Sequence, residues 1–164
     1  MALTQIELTT IDGRETTFGE YSDKVVMIVN VASRCGFTPQ YTALEQVQRR
    51  YGPRGFTVLA FPCNQFMMQE PGSAKDIKEF CAAFDVTFPL FEKTHVNGRG
   101  QHPLYRELTQ VPDAAGHAGR VKWNFEKFLI TPAGAVHRFR SATVPDAPEV
   151  VSVIEAALQT TVSP

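Results

Sequence analysis

One cysteine in a turn is the residue of this sequence best placed to do chemistry. Cys35 follows the apolar run Val25-Val26-Met27-Ile28-Val29 and precedes the turn-forming residues Gly36, Thr38 and Pro39. A thiol reacts as its thiolate, and at an ordinary thiol pKa of about 8.5 only about 3% is ionised at pH 7. The partial positive charge at a helix N-terminus favours a thiolate nearby. From these local features alone, Cys35 is either a reactive thiol or a small packing residue.

The spacing of the other cysteines and of the histidines does not match a metal site. The three cysteines stand at 35, 63 and 81 without a CxxC pair, and the four histidines, at 95, 102, 117 and 137, form no close pair beside them. Structural zinc sites usually draw their ligands from close pairs, so the sequence predicts no zinc site. In a reducing cytoplasm, scattered cysteines are packing residues or catalytic thiols rather than a disulfide framework.

The segments around Cys35 predict a strand, a helix and a second strand that run as one parallel unit. Residues 25–31 are almost continuously apolar and β-branched, which is typical of a strand covered on both faces. Apolar residues then keep helical spacing from Tyr41 to Tyr51, and residues 56–61 form another apolar strand. The connection suits a right-handed parallel crossover. Cys35 would then lie at the carboxyl end of the first strand, where reacting groups of open α/β sheets collect.

Turn and cap signals predict the remaining elements. Asp12-Gly13 indicates an N-terminal hairpin, and residues 131–134 indicate a second hairpin between residues 127–130 and 135–140. Ser73 is typical of a helix cap, and the helix that follows to Ala83 carries Cys81 on its inner side. Shorter signals predict an extended piece at 88–91 and helices at 103–108 and 147–159.

Composition indicates an ordinary globular protein. The 164 residues are 43% hydrophobic and 20% charged, which predicts one domain spanning residues 1–164. A net charge of −1 gives no strong electrostatic reason to expect nucleic acid or a membrane surface as a partner. Residues 119–140 hold five basic residues against Glu126 alone, and we interpret them as a solvated face or, alternatively, a patch for an acidic partner. The absence of a signal peptide or a bilayer-length apolar run predicts a cytoplasmic protein without stable membrane association.

Three blocks of the sequence resemble the signature blocks of the glutathione peroxidase family. They read NVASRCGFTPQY at 30–41, LAFPCNQF followed by QEPG at 59–72, and KWNFEKFLI at 122–130. The resemblance extends from about Leu8 to the C-terminal helix. It implies an α/β, thioredoxin-like fold in which helices flank a central mixed sheet, with an N-terminal β-hairpin. It also implies a peroxidase whose catalytic residues are Cys35, Gln69, Trp123 and Asn124.

The residues that the resemblance gives to the site suit peroxide chemistry. Singly, Gln69, Trp123 and Asn124 would be expected to pack, cap or turn the chain, but each supplies N–H donors. Because the thiolate and the departing alkoxide or hydroxide are both negative, preorganised donors stabilise the reaction. The thiolate would attack the outer oxygen of a hydroperoxide, release water or an alcohol and become a sulfenic acid. No metal or organic cofactor is required.

The family divides between members that use glutathione directly and members that carry a resolving cysteine. Cys81, ahead of Phe88-Pro89, matches the placement of the resolving cysteine, whereas Cys63 has no general catalytic role in the family and is expected to be structural. A disulfide requires Cα atoms within about 7 Å, so the helix around Cys81 is expected to unwind locally. The exposed Cys35–Cys81 disulfide would suit reduction by a thioredoxin-like dithiol.

Partners and alternatives follow from the same resemblance. We expect a hydroperoxide substrate and a thioredoxin-like reductant, because the basic residues with which relatives bind glutathione have no positional match. A monomer is expected, since only residues 111–120 stand where tetrameric relatives carry a longer insertion. A glutathione-dependent peroxidase and a peroxide sensor that relays oxidation by disulfide exchange stay open as alternatives. The lack of CxxC argues against a thioredoxin-like disulfide reductase.

Two adjacent methionines depart from the family pattern. Met67 and Met68 stand between NQF and QEPG, where family members usually have small or polar residues. They are interpreted as packing residues or as an apolar rim of the site. Copper binding is disfavoured, because no close Cys/His pair accompanies the two thioethers.

Overall fold

The computed structural model describes residues 3–161 and places helices on both faces of a four-stranded mixed sheet. The strands are β1 (Glu7–Thr9), β2 (Glu15–Thr17), β3 (Val25–Val31), β4 (Phe56–Pro62), β5 (Lys127–Ile130) and β6 (Val136–Phe139). The α-helices are α1 (Gln40–Tyr51), α2 (Ala74–Ala83), α3 (Pro103–Leu108) and α4 (Pro148–Thr161). Within residues 3–161, no helix has both the length and the apolar character needed to cross a bilayer.

The sheet has the strand order β4-β3-β5-β6, with β1 and β2 paired separately as an antiparallel hairpin. Strand β3 runs parallel to β4 through the crossover helix α1 and antiparallel to β5, which pairs with β6. This arrangement confirms the predicted mixed α/β architecture and its N-terminal hairpin. The segment after β3 therefore starts at the centre of the sheet and leads directly into α1.

Strand β3 is buried on both faces, and its side chains alternate between two hydrophobic clusters. Val25, Met27 and Val29 pack with apolar residues of α1, α2 and α4. Val26 and Ile28 pack on the opposite face, with the N-terminal hairpin and α3. The period of two residues along a strand explains this division. The sheet thus separates the protein interior into a helical side and a hairpin side.

The start of α2 is fixed by a reciprocal cap, as Ser73 predicted. The hydroxyl of Ser73 accepts a hydrogen bond from the Asp76 N–H at 3.2 Å, and the Asp76 carboxylate accepts one from the Ser73 N–H at 3.0 Å. This capping box satisfies two backbone donors at the helix start. The first turn of the helix that carries Cys81 is therefore well anchored.

The expectation that the basic residues of 119–140 form a solvated face is wrong for three of the five. Lys127 and Arg138 are buried, and Arg140 is half-buried. Arg138 Nε donates to Glu126 Oε2 at 2.6 Å, and Arg140 donates to Glu126 Oε1 at 2.9 Å. The physical reason is that a fully buried carboxylate needs charged partners. Both arginines therefore point inward, where they form ion pairs with Glu126. Arg120 remains exposed.

Candidate active site

Cys35 lies in the bend between β3 and α1 and is 8% exposed. Its N–H donates to the Thr38 hydroxyl at 2.9 Å, and its carbonyl accepts from the Thr38 N–H at 3.0 Å. The Phe37 N–H donates to the Cys35 sulfur at 3.4 Å. A backbone donor directed at this sulfur stabilises negative charge that develops there. The turn ahead of α1 therefore fixes the thiol and supplies it with a donor.

A tight turn at residues 66–69 faces solvent beside this region. The Gln69 N–H donates to the Phe66 carbonyl at 3.3 Å, and Met67 and Met68 both have positive φ, of 55° and 52°. These φ values are typical of a type I′ turn, which favours Asn and Gly, and for other residues the left-handed conformation costs about 1–2 kcal/mol each. The two side chains are 78% and 70% exposed. Their interpretation as packing residues is wrong, because the turn directs them outward, whereas an apolar rim fits their exposure.

The structure brings Gln69 and Asn124 together. Asn124 Nδ2 donates to Gln69 Oε1 at 2.8 Å, which joins the loop after β4 to the segment before β5. The Gln69 carbonyl also accepts from the Arg34 N–H at 3.0 Å, so the same loop is tied to the residue before Cys35. Asn124 Oδ1 is buried and has no hydrogen-bond partner among residues 3–161. Reversing both amides would keep their mutual hydrogen bond and place an N–H₂ donor at this unpartnered position.

Trp123 is half-buried and packs against Phe66, with ring centroids 5.7 Å apart. It contacts both hydrophobic clusters and so lies at the edge between the two faces of the sheet. The hydrogen bond that the Cys35 sulfur accepts comes from Phe37, and in the described part of the chain none joins it to the side chain of Trp123, Gln69 or Asn124. The structure therefore connects Cys35 to this group through the backbone of Arg34.

Asn30 positions the Trp123–Asn124 segment, and the sequence analysis missed it. This buried residue of β3 donates from Nδ2 to the Trp123 carbonyl at 3.1 Å and accepts at Oδ1 from the Glu126 N–H at 3.1 Å. Its own carbonyl accepts from the Phe125 N–H at 2.6 Å, where Phe125 has a φ of +64°. A polar side chain inside an apolar strand needs partners, which is the signal that identifies it.

Lys127 ties the same segment to α1 and was also missed. Its buried Nζ donates to the Phe125 carbonyl at 2.5 Å, to Gln40 Oε1 at 2.8 Å and to the Ser141 carbonyl at 3.2 Å. Three acceptors match the three N–H groups of an ammonium. Burial lowers the pKa of Lys127 to about 7, so this ammonium loses its proton near neutral pH. The sequence signal for this residue was a lysine in the otherwise apolar strand β5.

The other two cysteines lie on opposite faces of the sheet. Cys81, on α2, belongs to the same cluster as Cys35. Burial raises the pKa of Cys81 to about 11, and the nearby Tyr41 hydroxyl lowers that pKa in part. Cys63 follows β4 and belongs to the hairpin-side cluster, where burial raises its pKa. All three cysteines are free thiols, and residues 3–161 contain no group of three or more His, Cys, Asp or Glu arranged to hold a metal ion.

Comparisons of the sequence with known proteins identify one family. Residues 3–109 match the family model described as glutathione peroxidase. The chain is 49% identical over 155 residues to the hydroperoxy fatty acid reductase of Synechocystis sp., covering 90% of each protein. It is 44% identical over 169 residues to the thioredoxin/glutathione peroxidase BtuE of Escherichia coli, covering 90% of this chain and 92% of that protein.

Solved structures show the same architecture. The crystal structure of Trgpx in its apo form matches with a TM-score of 0.78 and 38% identity, covering 97% of this chain and 96% of that one. A thioredoxin-family thiol:disulfide interchange protein from Chlorobium tepidum matches with a TM-score of 0.63 over 94% of this chain and 95% of that one. Since the identity there is 17%, this second likeness shows the fold alone, and it confirms the thioredoxin-like arrangement.

Proposed function

The chain belongs to the glutathione peroxidase family and is a peroxidase that reduces hydroperoxides, and from this premise we propose that Cys35 is the residue that the peroxide oxidises. The observation that carries the proposal is the position of its sulfur, at the carboxyl end of β3 and one turn before α1, with the Phe37 N–H directed at it. The thiolate attacks the outer peroxide oxygen and the O–O bond breaks. The sulfur becomes a sulfenic acid, and the departing alkoxide or hydroxide takes a proton to form an alcohol or water.

Gln69, Trp123 and Asn124 are proposed to stabilise the negative charge that moves from sulfur to the departing oxygen. The hydrogen bond between Gln69 and Asn124 supports this role, because it preorganises one amide by means of the other. With both amides reversed, the buried end of Asn124 offers a donor rather than an unpartnered acceptor. No side chain in this group needs to act as a base.

Cys81 is proposed as the resolving cysteine that converts the sulfenic acid into a Cys35–Cys81 disulfide. Its presence in the same cluster as Cys35 supports the pairing, whereas Cys63 packs on the other face of the sheet. Cys81 is buried, so α2 must open locally before the new disulfide can meet a partner. We propose a thioredoxin-like dithiol as that partner. The Escherichia coli relative is named for both thioredoxin and glutathione, so glutathione is the alternative reductant to compare.

The exposed pair Met67 and Met68 supports organic hydroperoxides as substrates beside hydrogen peroxide. Two thioethers held outward in a strained turn form an apolar surface directly before Gln69. Flexible methionine side chains adapt to apolar ligands of varied shape. The Synechocystis relative is named for the reduction of hydroperoxy fatty acids, and we propose that the acyl part of such a substrate contacts these methionines.

A cytoplasmic monomer is the proposed form of the enzyme. Three free, buried thiols suit a reducing compartment. Light scattering at micromolar concentration is expected to give the mass of one chain, and a dimer or tetramer would contradict the proposal.

Rapid mixing with one equivalent of peroxide tests the catalytic assignment. The wild type is expected to lose one thiol quickly and then form a disulfide, and peptide mapping without reductant is expected to find Cys35 joined to Cys81. Cys35→Ser should abolish the fast phase, Cys81→Ser should stop at the sulfenic acid, and Cys63→Ser is the matched control that keeps the disulfide. An unchanged fast phase in Cys35→Ser would overturn the proposal.

A coupled assay decides the reductant. One hydroperoxide is supplied with thioredoxin and its reductase, or with glutathione and its reductase, at equal reducing equivalents. Faster turnover with thioredoxin is expected. Faster turnover with glutathione would assign the chain to the glutathione-using branch.

A further inference from the structure

A cavity of about 230 Å³ lies between the segment before Cys35 and the helix that carries Cys81. The segment before Cys35 contributes Ser33 and Arg34, and α2 contributes Asp76, Ile77 and Phe80, the residue next to Cys81. Glu70, the residue after Gln69, also lines this cavity. The Glu70 carboxyl group thus lies between the segment that leads into Cys35 and the helix that carries Cys81, and it shares the cavity with Asp76 of that helix.

Glu70 is almost completely buried, with 1% of its surface exposed. The Ser33 hydroxyl donates to Oε1 at 2.6 Å, while Oε2 is buried and has no hydrogen-bond partner among residues 3–161. No ion pair within 4.0 Å holds this carboxyl group in the described part of the chain. A buried carboxylate without a charged partner is unfavourable, so packing alone does not explain an acidic residue at this position.

The surroundings of Glu70 set its proton affinity. Burial raises the pKa of Glu70, and this effect is opposed by the Ser33 hydroxyl and, more weakly, by the charges of Lys93 and Arg34. On the side of α2, the negative charge of Glu70 raises the pKa of Cys81, and it acts on Tyr41 in the same direction. Asp76 of α2 also lines the cavity. A carboxyl group with a raised pKa is therefore within electrostatic reach of the Cys81 thiol.

The resolving step requires a proton transfer at this place. The Cys81 thiol, with a pKa raised to about 11, is almost entirely protonated at neutral pH. To attack the sulfenic sulfur it must lose a proton, while the departing hydroxide must gain one. A carboxyl group with a raised pKa suits both transfers, because a general base works best when its pKa lies near the working pH.

We propose that Glu70 is the proton-transfer residue of disulfide formation between Cys81 and oxidised Cys35. The Glu70 carboxylate accepts the proton of the Cys81 thiol, and the resulting thiolate attacks the Cys35 sulfur. The S–S bond forms as the S–O bond breaks, and the leaving hydroxide takes the proton back from Glu70 as water. Sulfenic acid and thiol thus give disulfide and water, with no other reactant. This inference rests on the proposed role of Cys81.

Two rate constants measured separately test the inference. Stopped-flow fluorescence of Trp123, the single tryptophan, follows oxidation of Cys35, and acid quenching with mass analysis follows disulfide formation. In Glu70→Gln, which keeps an acceptor for Ser33, disulfide formation is expected to slow by at least about tenfold more than oxidation does. Glu70→Asp, which keeps a carboxyl group, is expected to recover part of the lost rate. Glu79→Gln, which changes an exposed carboxyl group on α2, the helix that carries Cys81, is the matched control.

The pH profile separates proton transfer from a structural role. In the wild type the rate of disulfide formation is expected to rise with pH as Glu70 ionises. This rising limb of the pH profile should be absent in Glu70→Gln. Because the Ser33 hydroxyl lowers the pKa of Glu70, Ser33→Ala is expected to move the limb to higher pH. Should Glu70→Gln not fold, the Ser33→Ala profile alone decides, and an unmoved limb overturns the inference.

The possible failures are distinguishable. If Cys81→Ser abolishes the disulfide but Glu70→Gln forms it at the wild-type rate, the inference about Glu70 is wrong and the proposed function stands. Equal slowing of both steps in Glu70→Gln, with a lower melting temperature, also overturns the inference. If Cys81→Ser still forms the wild-type disulfide, the resolving role of Cys81 is itself wrong.

Discussion

The side-chain amide of Asn30 donates a hydrogen bond to the backbone carbonyl of Trp123 at 3.1 Å. Asn30 belongs to the strand that leads into Cys35, and Trp123 precedes Asn124 in the segment that enters β5. One buried amide therefore joins the two parts of the chain that supply the proposed nucleophile and the proposed donors. Small displacements of positioned groups have large effects on rates, so we expect this bond to affect catalysis as well as stability.

Replacing Asn30 tests this connection. Asn30→Asp keeps an acceptor for the Glu126 N–H but places a carboxylate oxygen against the Trp123 carbonyl. The free energy of unfolding is expected to fall by about 2 kcal/mol or more, and oxidation of Cys35 should slow by at least about tenfold. Urea unfolding and stopped-flow oxidation measure the two effects.

Asn97→Leu provides the control for Asn30, because Asn97 makes two comparable buried bonds to the backbone of Val121. The free energy of unfolding of Asn97→Leu should fall by a similar amount, but oxidation of Cys35 should slow less than it does in Asn30→Asp. Equal loss of rate in both variants would show that general destabilisation, rather than the Trp123 contact, causes the effect.

Gln69 and Asn124 should act as a coupled pair. Gln69→Ala and Asn124→Ala are each expected to slow oxidation of Cys35 by about tenfold to a hundredfold. Since each amide orients the other across 2.8 Å, the double variant should lose less than the sum, with a coupling of about 1 kcal/mol. Strictly additive losses in the double-mutant cycle would argue that the hydrogen bond has no catalytic consequence.

Tyr41→Phe should slow the resolving step at neutral pH. The Tyr41 hydroxyl lowers the pKa of Cys81, so its removal raises that pKa and leaves less thiolate at a given pH. The rate of disulfide formation is expected to fall a few-fold, and its pH profile to move upward. Tyr105→Phe is a matched control, since Tyr105 is equally buried but packs on the hairpin side of the sheet. A shift of the same size in Tyr105→Phe would contradict this explanation.

Lys127 should make stability depend on pH in a defined direction. Its pKa of about 7 in the folded chain lies below the value of about 10.4 expected in the unfolded chain. Between these values the unfolded state binds the extra proton, so the contribution of Lys127 to stability increases as pH rises. The difference in unfolding free energy between wild type and Lys127→Met should therefore change in favour of the wild type from pH 7 to pH 9. Urea unfolding of both proteins across this range checks it, and a constant difference would contradict the lowered pKa.

The methionine rim should influence the choice of substrate. In the double variant Met67→Ser and Met68→Ser, the ratio of kcat/KM for a long-chain fatty acid hydroperoxide to kcat/KM for hydrogen peroxide is expected to fall several-fold. Loss of apolar contact area explains the direction, since each buried CH₂ contributes about 0.8 kcal/mol. Steady-state assays with both peroxides measure the ratio. An unchanged ratio would remove these residues from substrate recognition.

Much of the fold could be predicted because its signals are local. The Asp12-Gly13 turn, the apolar run of β3 and the Ser73 cap each lie within a few residues of the structure they specify, and all three predictions are confirmed. Cys35 could be placed at a strand end from the same kind of pattern. Its reactivity could not be decided locally, because a packing cysteine has the same neighbours.

The remaining parts of the site depend on contacts between distant segments. Asn30 bonds to a residue 93 positions away, and Lys127 to one 87 positions away, so no sequence window shows either partner. The inward turn of Arg138 depends likewise on the burial of Glu126. The packing interpretation of Met67 was wrong for a different reason, since apolar residues usually pack and seldom adopt positive φ.

The division of the interior by the sheet has a consequence for the fidelity of oxidation. Cys35 and Cys81 share the helical side, while Cys63 is enclosed on the hairpin side. A wrong disulfide with Cys63 would require one of the sulfurs to pass the central strands, which are the most buried part of the protein. The sheet would thus act as a barrier against mispairing of the proposed Cys35–Cys81 disulfide, and Cys63 would stay reduced through repeated cycles of oxidation and reduction.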